Sequence, residues 1–182
     1  MLGAVKLSSA TLDPIIKEMG TKYNIEPALI RAVIKAESDW DVNASRYEVH
    51  KTDASWGLMQ LMLETGRWIL GNSSLTITQL TQPRVNIEAG TKYLRYNLDR
   101  FKDIKNAVAA YNAGSPRIDK KTGKLVNQSY VDKVTKNYEL YKSIGETAGN
   151  IVAVATSEEA VPIYVLAGLA IVGAVVFSRL DE

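Results

Sequence analysis

Glu37 does not match its surroundings. On a helical wheel drawn from Pro27, the residues Leu29, Ile30, Val33, Ile34 and Ala36 form an apolar arc, and Arg31, Lys35, Ser38 and Asp39 gather opposite. Glu37 falls inside the apolar arc, between Val33 and Ile30. A carboxyl there is either partly desolvated or set in the wall of a cleft, unless the helix frays after Ala36 and releases it to water. Its place at a helix C-terminus adds the negative end of the helix dipole. Both effects favour the protonated carboxyl, the form a general acid needs. The absence of cysteine in 182 residues excludes a thiol nucleophile, a thiolate metal site and a disulfide scaffold. With one histidine, His50, a multi-His metal site is impossible and a His-based triad is not expected. No metal or organic cofactor is required by the residues present. Asp39, Asp41 and Asp53 are candidate partners for a reaction that uses two carboxyls. Asp39 points to the polar side and Asp41 lies too near in sequence to face Glu37 readily, which leaves Asp53.

The elements that must position Glu37 read as helices. Residues 10–144 show no sustained period-two alternation, and helix start and stop signals recur. Pro27 starts the Glu37 helix. A second helix is expected over 58–70. Over 87–101, Ile87, Leu94, Leu98 and Phe101 share one face, while Glu88–Lys92 and Arg95–Asp99 make i,i+4 pairs on the other. Asp103 caps a helix that runs to Ala113 and stops at Gly114 and Pro116. Asn127 is placed to cap the last helix, where Tyr130, Val134, Tyr138 and Tyr141 form a stripe. The fold class expected is all-α.

Three short motifs around this frame add specificity. Glu37-Ser38, the run Gly57-Leu58-Met59-Gln60, and Ala110-Tyr111-Asn112-Ala113-Gly114 follow one another in that order. Together they resemble the motifs of the soluble lytic transglycosylase (SLT) domain family, whose fold is lysozyme-like and related to goose-type lysozymes. Residues 86–94 (NIEAGTKYL) and Tyr130-Val131 with Val134 look like the family's later helices. The resemblance covers 12–144, with 1–11 as an N-terminal extension. It implies cleavage of the β-1,4 bond between N-acetylmuramic acid and N-acetylglucosamine in peptidoglycan, giving a 1,6-anhydro end. By the same resemblance Glu37 is the catalytic acid, and Ser38, Ser45, Met59, Gln60, Met62, Tyr111 and Asn112 bind substrate. The residues alone leave other roles open: Met59 and Met62 suit a core, Tyr111 suits packing, and Asn112 suits a helix end. Three departures stand out. Val42 follows Asp41 where the family often has proline. The loop 46–54 is longer than usual. Asn127 or Gln128 stands near where many relatives carry a second acid. A water-adding lysozyme using Asp53, or a catalytically silent peptidoglycan-binding protein, are the alternatives.

The rest of the chain bears on location. Residues 161–178 (VPIYVLAGLAIVGAVVFS) carry no charge and, as a helix, span roughly 27 Å, close to a bilayer's hydrocarbon thickness. A single transmembrane helix is expected there, with 145–160 as a linker and 179–182 as a tail. Residues 1–14 contain no export signal of the usual kind. Residues 1–144 carry 21 basic and 15 acidic side chains, a balance of +6, and 145–182 carry −4. That asymmetry suits an anionic polymer as partner for the globular part. The basic loop with Arg117, Lys120, Lys121 and Lys124 is read as solvated, and no nucleic acid is expected. A wall-cutting domain tethered to a lipid membrane fits a bacteriophage virion, with a bacterial inner-membrane machine as runner-up. Virion or envelope proteins are then expected as partners.

Overall fold

The computed structural model describes residues 3–48 and 53–156. In chain order these form α1 (Ser9–Tyr23), α2 (Pro27–Glu37), β1 (Ser45–Glu48), β2 (Asp53–Trp56), β3 (Leu61–Met62), α3 (Leu63–Leu70), α4 (Ile77–Leu80), α5 (Pro83–Phe101), α6 (Ile104–Ala113) and α7 (Gln128–Thr156). The fold is mainly helical, as expected. The small antiparallel sheet, in the order β1-β2-β3, corrects the reading of 10–144 as helices throughout. Its strands are two to four residues long, too short to produce a readable alternation. Ser45 pairs with Trp56 and Ser55 with Met62, so the long loop after Ser45 is a hairpin.

Helix α2 forms the centre. Pro27 occupies its first turn, where a missing N–H costs nothing. Ile30, Val33 and Ile34 are fully buried, each contributing about 1.5–3 kcal/mol of apolar burial. Ile16 and Met19 of α1, Ile87 and Leu94 of α5, and Val134 of α7 join them in one core. Asp103 caps α6 through its carboxylate and Gly114 ends it with φ of 78°, as the sequence indicates. On α5 the Arg95–Asp99 pair forms at 2.7 Å. Glu88 does not pair with Lys92; it reaches α1, accepting from Lys22 Nζ at 2.5 Å and Tyr23 Oη at 2.9 Å.

The helix expected from Leu58 begins at Leu63 instead. Residues 57–60 form a turn because Asn86, fully buried in α5, holds their backbone: its Oδ1 accepts from Met59 N at 2.7 Å. Its Nδ2 donates to the carbonyls of Trp56 at 2.9 Å and Leu80 at 3.0 Å. Gly57 has φ of 75°, and a Cβ there would lie 2.6 Å from the Asn86 amide. At the N-terminus, residues 3–7 lie along 40–43, with Leu7 N donating to Trp40 O at 3.1 Å and Val42 N to Val5 O at 3.0 Å.

Contacts divide the chain into 1–143 and 144–182. In the second unit residues through Thr156 are helical, so most of the stretch read as linker is helix. Gly145 and Gly149 weaken such a helix by about 1 kcal/mol each without ending it, and no proline intervenes before 162. Among the described residues no helix is long and apolar enough to cross a membrane. The span expected at 161–178 lies outside the described residues, as does His50.

Candidate active site

Two cavities meet at Glu37, the last residue of α2. The first, about 550 Å³, is lined on the helical side by Tyr93, Tyr111 and Asn112 and on the other by Ser55 and Met62. The second, about 760 Å³, is lined by Ser38, Asp41, Ser45, Trp56 and Thr78 among others. Glu37, Arg46 and Gln60 line both, so the two are halves of one groove with the carboxyl at their junction.

The end of α2 is fixed from α7. The hydroxyl of half-buried Tyr130 donates to Glu37 Oε1 at 2.6 Å, and Lys133 Nζ donates to the Ala36 carbonyl at 2.6 Å, satisfying a terminal carbonyl with a cation. Burial, reinforced by the Glu37 charge and by this hydrogen bond, pushes the Tyr130 hydroxyl well above 10. Burial and the Glu37 charge do the same to Tyr111. Both phenols therefore stay protonated donors at any physiological pH. After Glu37 the chain turns sharply: Asp39 and Trp40 have φ of 51° and 69°, which is rare for non-glycine residues. Lys35 and Lys6 both bond the Asp39 carboxylate and hold it down to about 2, and Trp40 is buried edge-on against Tyr141 at 6.2 Å.

The structure brings Glu37, Ser38, Ser45, Gln60, Met62, Tyr111 and Asn112 to the groove and keeps Met59 out of it. Met59 is fully buried beneath the floor, and a Cβ on Gly90 would collide with its side chain. The expectation that Met59 touches substrate is thus corrected to a packing role. Gln60 lines the groove with its amide already engaged: Nε2 donates to Ala44 O at 3.0 Å and Gly57 O at 2.9 Å, and Oε1 accepts from Ser55 Oγ at 2.9 Å. Tyr111 is 7% exposed and its hydroxyl donates to Met59 O at 2.9 Å. Ser38 Oγ donates to Ile34 O at 3.2 Å. Asn112 Oδ1 accepts from Asn127 Nδ2 at 3.0 Å, and the same Nδ2 donates to Ala109 O. Asn127 thus ties the start of α7 to the end of α6. Gln128 instead faces Leu125 N and Asp132.

Of the candidate second carboxylates, Asp53 lines neither cavity, and its Oδ1 accepts from Ala54 N at 2.7 Å. Asp41, set aside on sequence separation, does line the second cavity; the turn at Asp39 and Trp40 carries it round. Its Oδ1 accepts from Val5 N at 2.9 Å and Asn43 N at 3.0 Å. Sequence reasoning left Tyr130 off the site, although the tyrosine stripe of α7 was its signal. Arg46 and Arg117, which line the first cavity, lie outside any helix and left no periodic signal. Among the described residues no group of three or more His, Cys, Asp or Glu is placed to hold a metal.

Residues 14–132 match the family described as "Transglycosylase SLT domain". The chain belongs to that family. As an SLT-domain protein it is 33% identical over 119 residues to the transglycosylase of Enterobacteria phage PRD1, an alignment covering 65% of this chain and 40% of that one. It is 32% identical over 135 residues to the membrane-bound lytic murein transglycosylase C of Photorhabdus laumondii, covering 63% and 36%. The chain therefore spans about two fifths of the length of these relatives. Its fold matches the lytic transglycosylase Slt of Pseudomonas aeruginosa, solved as an inactive mutant, with a TM-score of 0.61 at 23% identity over 76% of this chain and 25% of that one.

Proposed function

We propose that this SLT-domain protein is a peptidoglycan lytic transglycosylase with Glu37 as its acid and base. The observation that carries the reading is the place of Glu37: half-buried, at the junction of two cavity halves, with Oε1 bonded to Tyr130. A glycan strand lying along the groove would put one sugar on each side of the carboxyl. Because Oε1 accepts from Tyr130, the transferable proton belongs on Oε2. Protonated Glu37 gives it to the oxygen linking N-acetylmuramic acid to N-acetylglucosamine, and the bond from that oxygen to the anomeric carbon breaks. The muramic C6 hydroxyl attacks the anomeric carbon and returns its proton to the Glu37 carboxylate. The products are a 1,6-anhydro end and a free 4-hydroxyl, with no water added. One carboxyl serves both steps because the nucleophile is the substrate's own. Arg46 and Arg117 suit a polymer bearing carboxylates.

The water-adding alternative is favoured by one observation, the presence of Asp41 in the second cavity. Against it, Asp41 Oδ1 already accepts two backbone N–H groups. Mass spectrometry of fragments released from purified sacculi tests the choice. Anhydro ends support the transglycosylase, and reducing ends abolished by Asp41→Asn would replace it with a lysozyme.

We further propose that residues 161–178 anchor the domain in a lipid membrane and that the setting is local wall opening during phage entry. The uncharged run and the likeness to a phage transglycosylase and to a membrane-bound murein transglycosylase support this. Flotation of the full chain with liposomes, and its presence in purified virus particles, test the two parts. Recovery only in a bacterial envelope fraction would move it to a bacterial machine.

A further inference from the structure

Four aromatic rings run in an unbroken series from the floor of the first cavity to the surface. Tyr111 and Tyr93 line the cavity, their ring centroids 5.1 Å apart. Tyr96, one turn along α5, stacks near-parallel to Tyr93 at 6.3 Å and 14°. Trp68 of α3 stands edge-on to both, 4.8 Å from Tyr96 and 6.2 Å from Tyr93. Along the series exposure rises from 7% at Tyr111 to 55% at Trp68. Thr65, three residues before Trp68 and so on the same side of α3, lines the same cavity. The series is therefore continuous with the groove rather than a separate surface feature.

A single exposed tryptophan is ordinary on a protein surface, but Trp68 is the outer end of a line of contacting rings that begins in the cavity. Its setting narrows the occupant. The residues along the series, Glu64 and Arg67 on α3 and Arg100 over the Tyr96 ring at 5.3 Å, are charged. One bare ring among charged groups lacks the apolar breadth of a protein interface, which buries about 800 Å² on each partner. It suits a ligand that is itself flat, apolar on its faces and polar at its edges. Pyranose rings have that character: their C–H faces lie on aromatic rings, and their hydroxyls and amides stay with water or charged neighbours.

Building on the peptidoglycan reading above, we propose that Trp68, with Tyr96 and Tyr93, forms an outer sugar-binding track that carries the glycan strand beyond the groove. Short strands fill the groove alone, and longer ones also lie across Trp68. The track acts on affinity for long strands and not on bond cleavage. Arg100 places a cation where acidic substituents of such a strand would pass.

The test uses the full chain carrying Glu37→Gln, so that bound strands persist. Binding of an N-acetylglucosamine disaccharide and a hexasaccharide is compared with and without Trp68→Ala. The track predicts about a fivefold to tenfold weaker Kd for the hexasaccharide, an unchanged Kd for the disaccharide, and near-complete recovery with Trp68→Tyr. Equal affinities for both lengths in all variants would overturn it. So would an equal loss at both lengths, which would mean that Trp68 merely supports the groove. A concentration-dependent dimer that Trp68→Ala dissolves would overturn it too, since a second copy would then cover the ring. The fate of the parent reading is separate: length-dependent binding through Trp68, with no fragments released by the chain retaining Glu37, would remove turnover and leave the track standing. Normal fragment release with no length effect would remove the track alone.

Discussion

The two walls of the groove hold their residues by different means. On the helical side, α2, α6 and α7 place Glu37, Tyr111 and Tyr130 by the packing of apolar faces, and one hydrogen bond from Tyr130 then trims the carboxyl's position. On the hairpin side Leu58, Met59 and Leu61 are buried in the same core, but apolar packing alone does not set the shape of the turn. The turn at 57–60 is held instead by side chains bonded to backbone, from Asn86 beneath and Gln60 within. Under the proposed function the contrast assigns roles: the helical wall carries the chemistry, and the hairpin wall shapes the space in which a sugar is presented. Changes on the first wall are expected to alter rate without stability, and changes on the second to alter stability and binding together.

The largest effect is expected at the first wall. Glu37→Gln removes the proton carrier while keeping size and hydrogen-bonding ability, and turnover on sacculi should fall at least about 10²–10⁴-fold with an unchanged melting temperature. Next comes the second wall. Asn86→Ala would strip partners from the buried Met59 N–H and from two carbonyls, costing about 3 kcal/mol or more, read as a clear drop in Tm. If Asn86→Ala instead lowered rate at full stability, the contrast between the walls would fail. Tyr130→Phe keeps the packed ring and removes the donor to Glu37; kcat should fall about tenfold, with KM and Tm nearly unchanged.

The smallest effect belongs to the turn after Glu37. The Asp39 carboxyl, held at about 2 by Lys35 and Lys6, sits below its unfolded value of 3.8. Its contribution is therefore present above pH 4 and is lost as pH falls through about 2. Asp39→Asn tolerates the same positive φ without the charge. It should lower Tm by about 1–3 °C at pH 6, since the pair is exposed, and the two proteins should converge near pH 2 in thermal melts.

The helical wall was the legible one. The misfit of Glu37 on its wheel and the caps of α6 at Asp103 and Gly114 follow from local rules that hold before any long-range contact forms. The hairpin wall was not. Its strands are too short for a period to show, and the turn that places Gln60 is dictated by Asn86, 26 residues further along the chain. For the same reason Gln60 and Tyr111, which read as sugar contacts, have their polar atoms committed to the fold. The bonds from Gln60 to Ala44 O and from Tyr111 to Met59 O join residues distant in sequence, and no spacing rule reports such a bond.

The central claim is that the muramic C6 hydroxyl, and not water, attacks the anomeric carbon while Glu37 moves the proton. Digestion of purified sacculi in water enriched in oxygen-18, followed by mass spectrometry of the released fragments, tests it directly. The account predicts anhydro ends without heavy oxygen, and none from Glu37→Gln. Heavy oxygen at the newly formed muramic end would contradict it.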